Sequence, residues 1–253
     1  SENWCIYRGK HLFTFVDNHD VERIYTKLKN KSHFVPVHIL LYTLPGIPSV
    51  YYGSEYGIEG KKQYGSDDSL RPAIDFKQYT ESIKDSSLVK LISQLGKLRQ
   101  QTKELSYGSY KELFLTNCQY AFAREYNGQS VIVTVNNAGD DFVVNLPVQN
   151  SCDYFGGLYG EKLSAKDGYL TVNVKAGSGE IWIPLDLAEN IEPIKNVDIK
   201  TEKIAVSKKP IDHPEPQKVR ESVKAEQKKE INQNKPYEEM TIEELQSAIL
   251  ERM

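Results

Sequence analysis

At 253 residues, 39% of them hydrophobic and 10% aromatic, with a formal net charge of -3, the chain has enough apolar material for a packed core and enough length for one α/β barrel or two smaller domains. The charge gives no reason to expect a nucleic-acid partner, which calls for a basic patch. No apolar run approaches the ~20 residues needed to cross a bilayer, so no membrane partner is expected.

In chain order, Leu12 to Val16 is a Phe-rich apolar run that reads as a buried strand. A helix is predicted around Val35 to Tyr42, and a second strand over Ile47 to Tyr52 after the Pro45-Gly46 turn signal. A polar loop runs to Arg71. From Ser87 to Gln100, Leu88, Leu91, Ile92, Leu95 and Leu98 fall on one helical stripe. Strand, helix, strand, helix indicates parallel βαβ structure. Two such units fall far short of a closed barrel, which takes roughly 30 residues per unit and ~250 in all. Two parallel strands with helices on one side also leave a sheet face uncovered. This part of the chain is therefore expected to be a fragment that needs partner strands.

The pattern changes near Ser106. Tyr110 to Thr116, Tyr120 to Tyr126, Val131 to Asn136, Phe142 to Leu146, Leu170 to Val174 and Ile181 to Pro184 are short runs rich in Tyr, Phe, Val and Ile. Asn127-Gly128 and Asp167-Gly168 are tight-hairpin signals between them. Close spacing without helices predicts an antiparallel sandwich. Its aromatics, among them Tyr154, Phe155, Tyr159, Tyr169 and Trp182, could offer a flat stacking platform, but Trp182 within Ile181-Trp182-Ile183 reads first as core. Beyond Leu187, Lys, Glu and Pro dominate, and Pro193, Pro210, Pro214 and Pro216 mark a charged linker. A last amphipathic stretch carries Ile242, Leu245 and Ile249 on one face behind a Thr241/Glu244 capping box. The expected divisions are 1–105 partial barrel, 106–187 sandwich, 188–235 linker and 236–253 truncated helix.

Cys5, Cys118 and Cys152 are far apart and lack metal-ligand spacing. They read as free and mostly buried thiols, which leans toward a reducing, cytoplasmic setting. The chain opens on Ser1 without a Met, so localisation stays open.

The chemistry-bearing cluster is Asp17-Asn18-His19-Asp20, placed directly after the first strand. Functional groups gather at the carboxyl ends of strands in parallel α/β folds. Two carboxylates, an amide and an imidazole there could bind a polyhydroxylated ligand or move protons. Alternatively, Asp17 and Asn18 only shape the turn, while His19 and Asp20 cap the next helix.

Phe15-Val16-Asp17-Asn18-His19-Asp20 resembles the fourth conserved region of the α-amylase superfamily, at the end of barrel strand seven. Pro45 to Glu55, with Tyr51-Tyr52-Gly53, resembles its eighth-strand signature, and a long helix and an antiparallel domain follow in the family's order. The resemblance covers about Leu12 to Pro184. It implies the C-terminal part of a (β/α)8 TIM barrel, strands seven and eight with their helices, followed by a β-sandwich.

By position, Asp20 resembles the family's third catalytic carboxylate, which binds hydroxyls of the sugar at the cleavage point, and His19 the substrate-binding histidine beside it. Asn18 holds a specific motif position and is expected to orient the turn. Arg71, in Ser69-Leu70-Arg71-Pro72, matches only part of an Arg-Pro loop of the family, whose usual Met and Trp are missing; it is carried as a substrate-contact candidate. Asp17 and Glu55 are expected to be structural. The resemblance implies no cofactor, and no metal ligand is assigned.

No segment resembles the family's nucleophile or general acid, so the isolated chain is expected to be inactive. The implied parent is a retaining glycosidase of α-linked glucans or malto-oligosaccharides, completed by a missing N-terminal barrel segment. The alternatives are a glucanosyltransferase, one half of a split enzyme, or a non-catalytic carbohydrate-binding or scaffold remnant.

Overall fold

The computed structural model describes residues 10–75, 86–149 and 151–194. Cys5, most of the linker expected at 188–235 and the helix expected at 236–253 lie outside these residues.

The α/β part opens with β1 (Phe13–Phe15) and α1 (Ile24–Lys27). A 3-10 turn follows at Lys31–His33, leading into α2 (Phe34–Thr43) and then β2 (Ile47–Ser49). β1 and β2 pair in parallel, Phe13 against Ile47 and Phe15 against Ser49. Asn30 starts the 3-10 turn by accepting from the Ser32 N–H at 3.1 Å. Pro36 falls in the first turn of α2, where a missing N–H costs no helical bond. The helix ends at Leu44 and the chain turns through Gly46, at φ +131°. A Cβ there would stand 2.8 Å from the Thr14 methyl and 2.9 Å from the Leu12 carbonyl oxygen, so glycine lets the turn lie against β1.

The first strand departs from its expected burial. Phe13 is 70% exposed and Phe15 50%. Among the described residues β1 pairs with β2 alone, and a two-stranded patch has too little area to cover its own rings.

α3 (Ser87–Gln101), capped by the Ser86 hydroxyl on the Val89 N–H, and α4 (Lys103–Tyr107) lead to the antiparallel strands. These are β3 (Ser109–Leu115), β4 (Gln119–Tyr126), β5 (Gln129–Asn136), β6 (Phe142–Pro147), β7 (Asp153–Gly156), β8 (Lys162–Ser164), β9 (Tyr169–Val174) and β10 (Ser178–Pro184). Six of them form one sheet in the order β3-β4-β5-β10-β7-β8, and β6-β9 form a second. Asn127-Gly128 and Asp167-Gly168 all have positive φ, the backbone of a two-residue hairpin turn.

Strand alternation sorts the core into two layers. Phe122, Val131, Val133, Ile181 and Ile183 face Phe34, Ile39, Leu91, Leu95 and Leu98 of α2 and α3. On the other face Ala121, Ile132, Tyr154 and Trp182 meet Val144, Leu146, Leu170 and Val172 of β6 and β9. Trp182 is buried and its indole N–H donates to the Thr134 hydroxyl at 3.2 Å. α2 is apolar on nearly all sides because it is covered on nearly all sides. Two arginines close its carboxyl end. Arg124 from β4 donates to the Thr43 and Gly108 carbonyls, and Arg99 from α3 to those of Tyr42 and Gly46. Cations there oppose the negative end of the helix dipole.

After β10 the chain stays on the body through Ile194. Ala188 and Ile191 are buried, and the Ile194 N–H donates to the Leu158 carbonyl. Cys118 is exposed rather than buried, because it sits in the short turn between β3 and β4; Cys152 is half-buried and both are free.

Candidate active site

Both strands of the parallel pair point their carboxyl ends at the same place, and the two loops that leave them build the site. Asp17, two residues past β1, is 1% exposed. Its Oδ2 accepts from the Ile24 N–H at 2.8 Å, at the start of α1. The Ser54 hydroxyl sits 2.9 Å from Oδ1 and 2.7 Å from Oδ2. Asp17 therefore ties the loop after β1 to the 3-10 turn Ser54–Tyr56 after β2. A buried carboxylate engaged this way is a fastener, with no lone pair facing open space.

Asn18 folds its side chain onto its own loop. Its Oδ1 accepts from the N–H groups of Asp20 at 2.8 Å and Val21 at 3.1 Å, an Asx turn. The alternative in which His19 and Asp20 cap the next helix is not realised: the N–H at the start of α1 goes to Asp17 instead.

The turn shaped by Asn18 pushes the next two side chains into the open. Those of His19 and Asp20 are 57% and 58% exposed, with His19 Nε2 3.2 Å from Asp20 Oδ2. Arg71 arrives from the far loop, and its Nη2 lies 3.2 Å from Asp20 Oδ1 and 3.0 Å from Asp67 Oδ2. Its Nε donates to the His19 carbonyl at 3.2 Å. Lys62 donates to the Asp20 carbonyl at 3.1 Å and to Asp67 at 2.6 Å. The hydrogen bond from Lys62 holds the Asp67 carboxyl below its ordinary range. Asp20, His19 and Arg71, separated by up to 52 positions in sequence, thus form one exposed cluster, whereas Asn18 supports it from inside the loop.

Lys62, Asp67 and Ser54 were not foreseen, since each acts through a long loop without a periodic signal. Arg23 was missed as well. It is fully buried, with its guanidinium 4.2 Å from the centre of the Tyr51 ring and 5.0 Å from that of Tyr52. The strand expected over Ile47 to Tyr52 would set the rings of Tyr51 and Tyr52 on opposite faces. β2 stops at Ser49, so both rings turn onto the same cation, edge to face at 4.6 Å. Nε and Nη2 of Arg23 have no hydrogen-bond partner among the described residues. Leaving a buried donor unpaired costs about 1–3 kcal/mol, and a desolvated cation–π contact returns about 2 kcal/mol. The two rings thus return part of what burying Arg23 costs.

Glu55, in the same 3-10 turn as Ser54, has its carboxyl raised by burial, against the pull of backbone N–H groups. Among the described residues no cluster of His, Cys, Asp and Glu has the arrangement to hold a metal ion.

The family model of the alpha amylase catalytic domain matches residues 4–94. The cyclomaltodextrinase of Thermoanaerobacter pseudethanolicus is 31% identical over 136 residues, 53% of this chain and 22% of that protein. A cyclomaltodextrin glucanotransferase of Niallia circulans is 29% identical over 178 residues, 67% of this chain and 24% of its own. The chain thus spans about a quarter of the curated relatives it matches. The alpha-amylase structure from Malbranchea cinnamomea superimposes with a TM-score of 0.62 at 21% identity, covering 72% of this chain and 38% of that one. A likeness at that identity speaks to the fold: β1, β2 and their helices are part of a TIM barrel.

Proposed function

We propose, for a chain that belongs to the α-amylase family through its residues 4–94, that it supplies one wall of the active site of an enzyme acting on α-linked glucans or malto-oligosaccharides. The observation that carries this reading is the exposed Asp20 carboxylate at the carboxyl end of a parallel strand pair, flanked by His19 and Arg71. Asp20 would accept hydrogen bonds from two hydroxyls of the sugar at the cleavage point, and His19 would donate to the same ring. Such bonds strengthen as the ring flattens toward an oxocarbenium ion and supply several kcal/mol. Arg71, paired with Asp20 here, would turn to a sugar hydroxyl once the substrate occupies Asp20.

Bond cleavage itself needs a nucleophile and a general acid about 5–5.5 Å apart for retention. The acidic neighbours of Asp20 do not fit those roles. Asp17 is buried with its oxygens engaged, and Asp67 is held by Lys62 and Arg71. The resemblance to the α-amylase family implies a nucleophile and acid on earlier barrel strands, and this reading assigns both to an N-terminal segment that would also cover Phe13 and Phe15. The division into partial barrel (1–105) and β-sandwich (106–187) belongs to the same reading, with the sandwich as the domain that follows such barrels. Both hydrolysis and transfer remain open to this wall, because stabilising the glycosyl cation serves either acceptor.

The decisive variant is Asp20→Asn in the full-length protein. Turnover of a malto-oligosaccharide should fall by about a hundred- to a thousandfold, as for loss of a group that acts chiefly in the transition state, with an unchanged melting temperature. Near-normal turnover would remove the assigned role.

A further inference from the structure

The exposed cluster stands on one buried cation. Arg23 donates through Nη1 to the Tyr52 carbonyl at 2.6 Å while its face lies against the rings of Tyr51 and Tyr52. Its backbone N–H donates to the Gly60 carbonyl at 3.0 Å. Gly60 has no room for a side chain: a Cβ would stand 2.3 Å from the Ser69 carbonyl oxygen and 3.0 Å from Arg23 Cγ. Three segments bordering the site thus converge on Arg23: the loop after β1, the tyrosine pair after β2, and the loop returning toward Arg71.

From that point contacts run outward to the functional groups. The Tyr51 ring lies 6.5 Å from the His19 ring, tilted by 53°. The Tyr52 hydroxyl donates to the Pro72 carbonyl at 3.0 Å, one residue beyond Arg71. Arg71 in turn holds the Asp20 carboxylate and the His19 carbonyl.

We propose that Arg23 is a positioning residue for the proposed reaction, fixing His19 through Tyr51, and Arg71 through Tyr52 and Pro72, relative to Asp20. The inference rests on the functional reading above and deepens it; Arg23 itself touches no substrate. The demand is specific to arginine. A planar, weakly hydrated guanidinium can stack on two rings and still donate within its own plane. A lysine ammonium keeps the charge but not the flat face, and a methionine keeps only the bulk.

The test uses the full-length protein and malto-oligosaccharide turnover, with kcat expressed per folded molecule. Arg23→Met should lower kcat by about 10- to 100-fold, the range expected when reacting groups shift by about 1 Å, with little change in KM. Arg23→Lys should fall between it and the natural protein. Tyr52→Phe removes the hydroxyl alone, and with it the links to Pro72 and to the Tyr51 side chain, and should lower kcat several-fold at an unchanged melting temperature. A purely structural Arg23 would lower the folded yield or melting temperature and leave kcat per folded molecule at its natural value, which would overturn the proposal. If Arg23→Met fails to fold, the other two variants decide: natural kcat in both overturns it, reduced kcat in both supports it. Asp20→Asn, run alongside, separates the two readings. Full activity there refutes the site itself, whereas a dead Asp20→Asn beside fully active Arg23 variants refutes only the positioning.

Discussion

The ends of β1 and β2 and the two-layered antiparallel sheets make opposite use of polar side chains. Around Asp20 the charged groups are exposed and bonded to one another across loops, and the apolar rings nearby, Phe13 and Phe15, lie open. Within the sheets the buried charged groups are instead bonded to backbone. Glu180 accepts from the N–H groups of Leu158, Ile181 and Tyr159, and Arg124 spends its guanidinium on main-chain carbonyls. A carboxylate bonded to backbone is fixed and hidden, so it serves the fold. A carboxylate bonded only to exposed side chains can exchange those partners for a ligand's hydroxyls. Stability should therefore reside in the sheets and chemistry at the strand ends, and substitutions can separate the two.

The largest stability effect should come from Trp182→Ala. Trp182 fills the layer between the large sheet and the β6-β9 pair, and emptying such a position costs about 3–5 kcal/mol. A denaturant melt of the full-length protein should show that loss. A loss below about 1 kcal/mol would mean that the second layer contributes little and would weaken the contrast.

Much of this body is legible in the sequence. Six strands and α3 follow from their hydrophobic period, α2 from an apolar run between turn signals, and the Asn-Gly and Asp-Gly turns mark hairpins. β7 and β8 do not, because Asp153–Gly156 and Lys162–Ser164 are too short for alternation to register and are separated by glycines. At the strand ends the sequence pointed to Asp20, His19 and Arg71, which the structure brings together. It did not reveal Arg23, Lys62 or Asp67. Their partners lie 4 to 42 positions away across loops without period, and only the folded chain sets those distances. Asn18 shows the complementary case: its motif position is readable, while its engagement with the Asp20 and Val21 N–H groups is a matter of local geometry.

A smaller effect should appear as an internally cancelling response to pH. Burial pushes the Glu180 carboxyl from 4.5 up to about 7, against the pull of its three backbone donors. The folded protein then holds a proton that the unfolded chain has released. That stabilisation is complete below about pH 4.5 and lost as pH rises through about 7. His38 behaves oppositely. It is buried on α2, stacked 3.8 Å from Phe34 and bonded to the Phe34 carbonyl, and burial lowers it from 6.5 to about 4. Its contribution is complete above pH 6.5 and lost as pH falls toward 4. Over their shared window each group contributes a slope of roughly 1 kcal/mol per pH unit with opposite sign. Glu180→Gln should expose the histidine slope, with stability rising from pH 4.5 to 6.5. His38→Leu should expose the glutamate slope, with stability falling across the same range. If neither variant changes the pH dependence, the two groups are not held in the environments described.

The smallest stability effect is expected where the local charge is densest. Asp67 joins Lys62 and Arg71 beside Asp20, with all four side chains reaching solvent. Exposed ion pairs contribute little to folding because water and salt screen them. Asp67→Asn should therefore leave the melting temperature of the full-length protein unchanged. It should nevertheless free Arg71 from one of its two carboxylates and leave it closer to Asp20. On the proposed function, substrate must then compete with a tighter Asp20–Arg71 pair, so KM for a malto-oligosaccharide should rise several-fold and the rise should shrink as salt is added. An altered melting temperature with an unchanged KM would reverse the contrast, making the charged loops part of the scaffold and leaving Asp20 without an exchangeable partner.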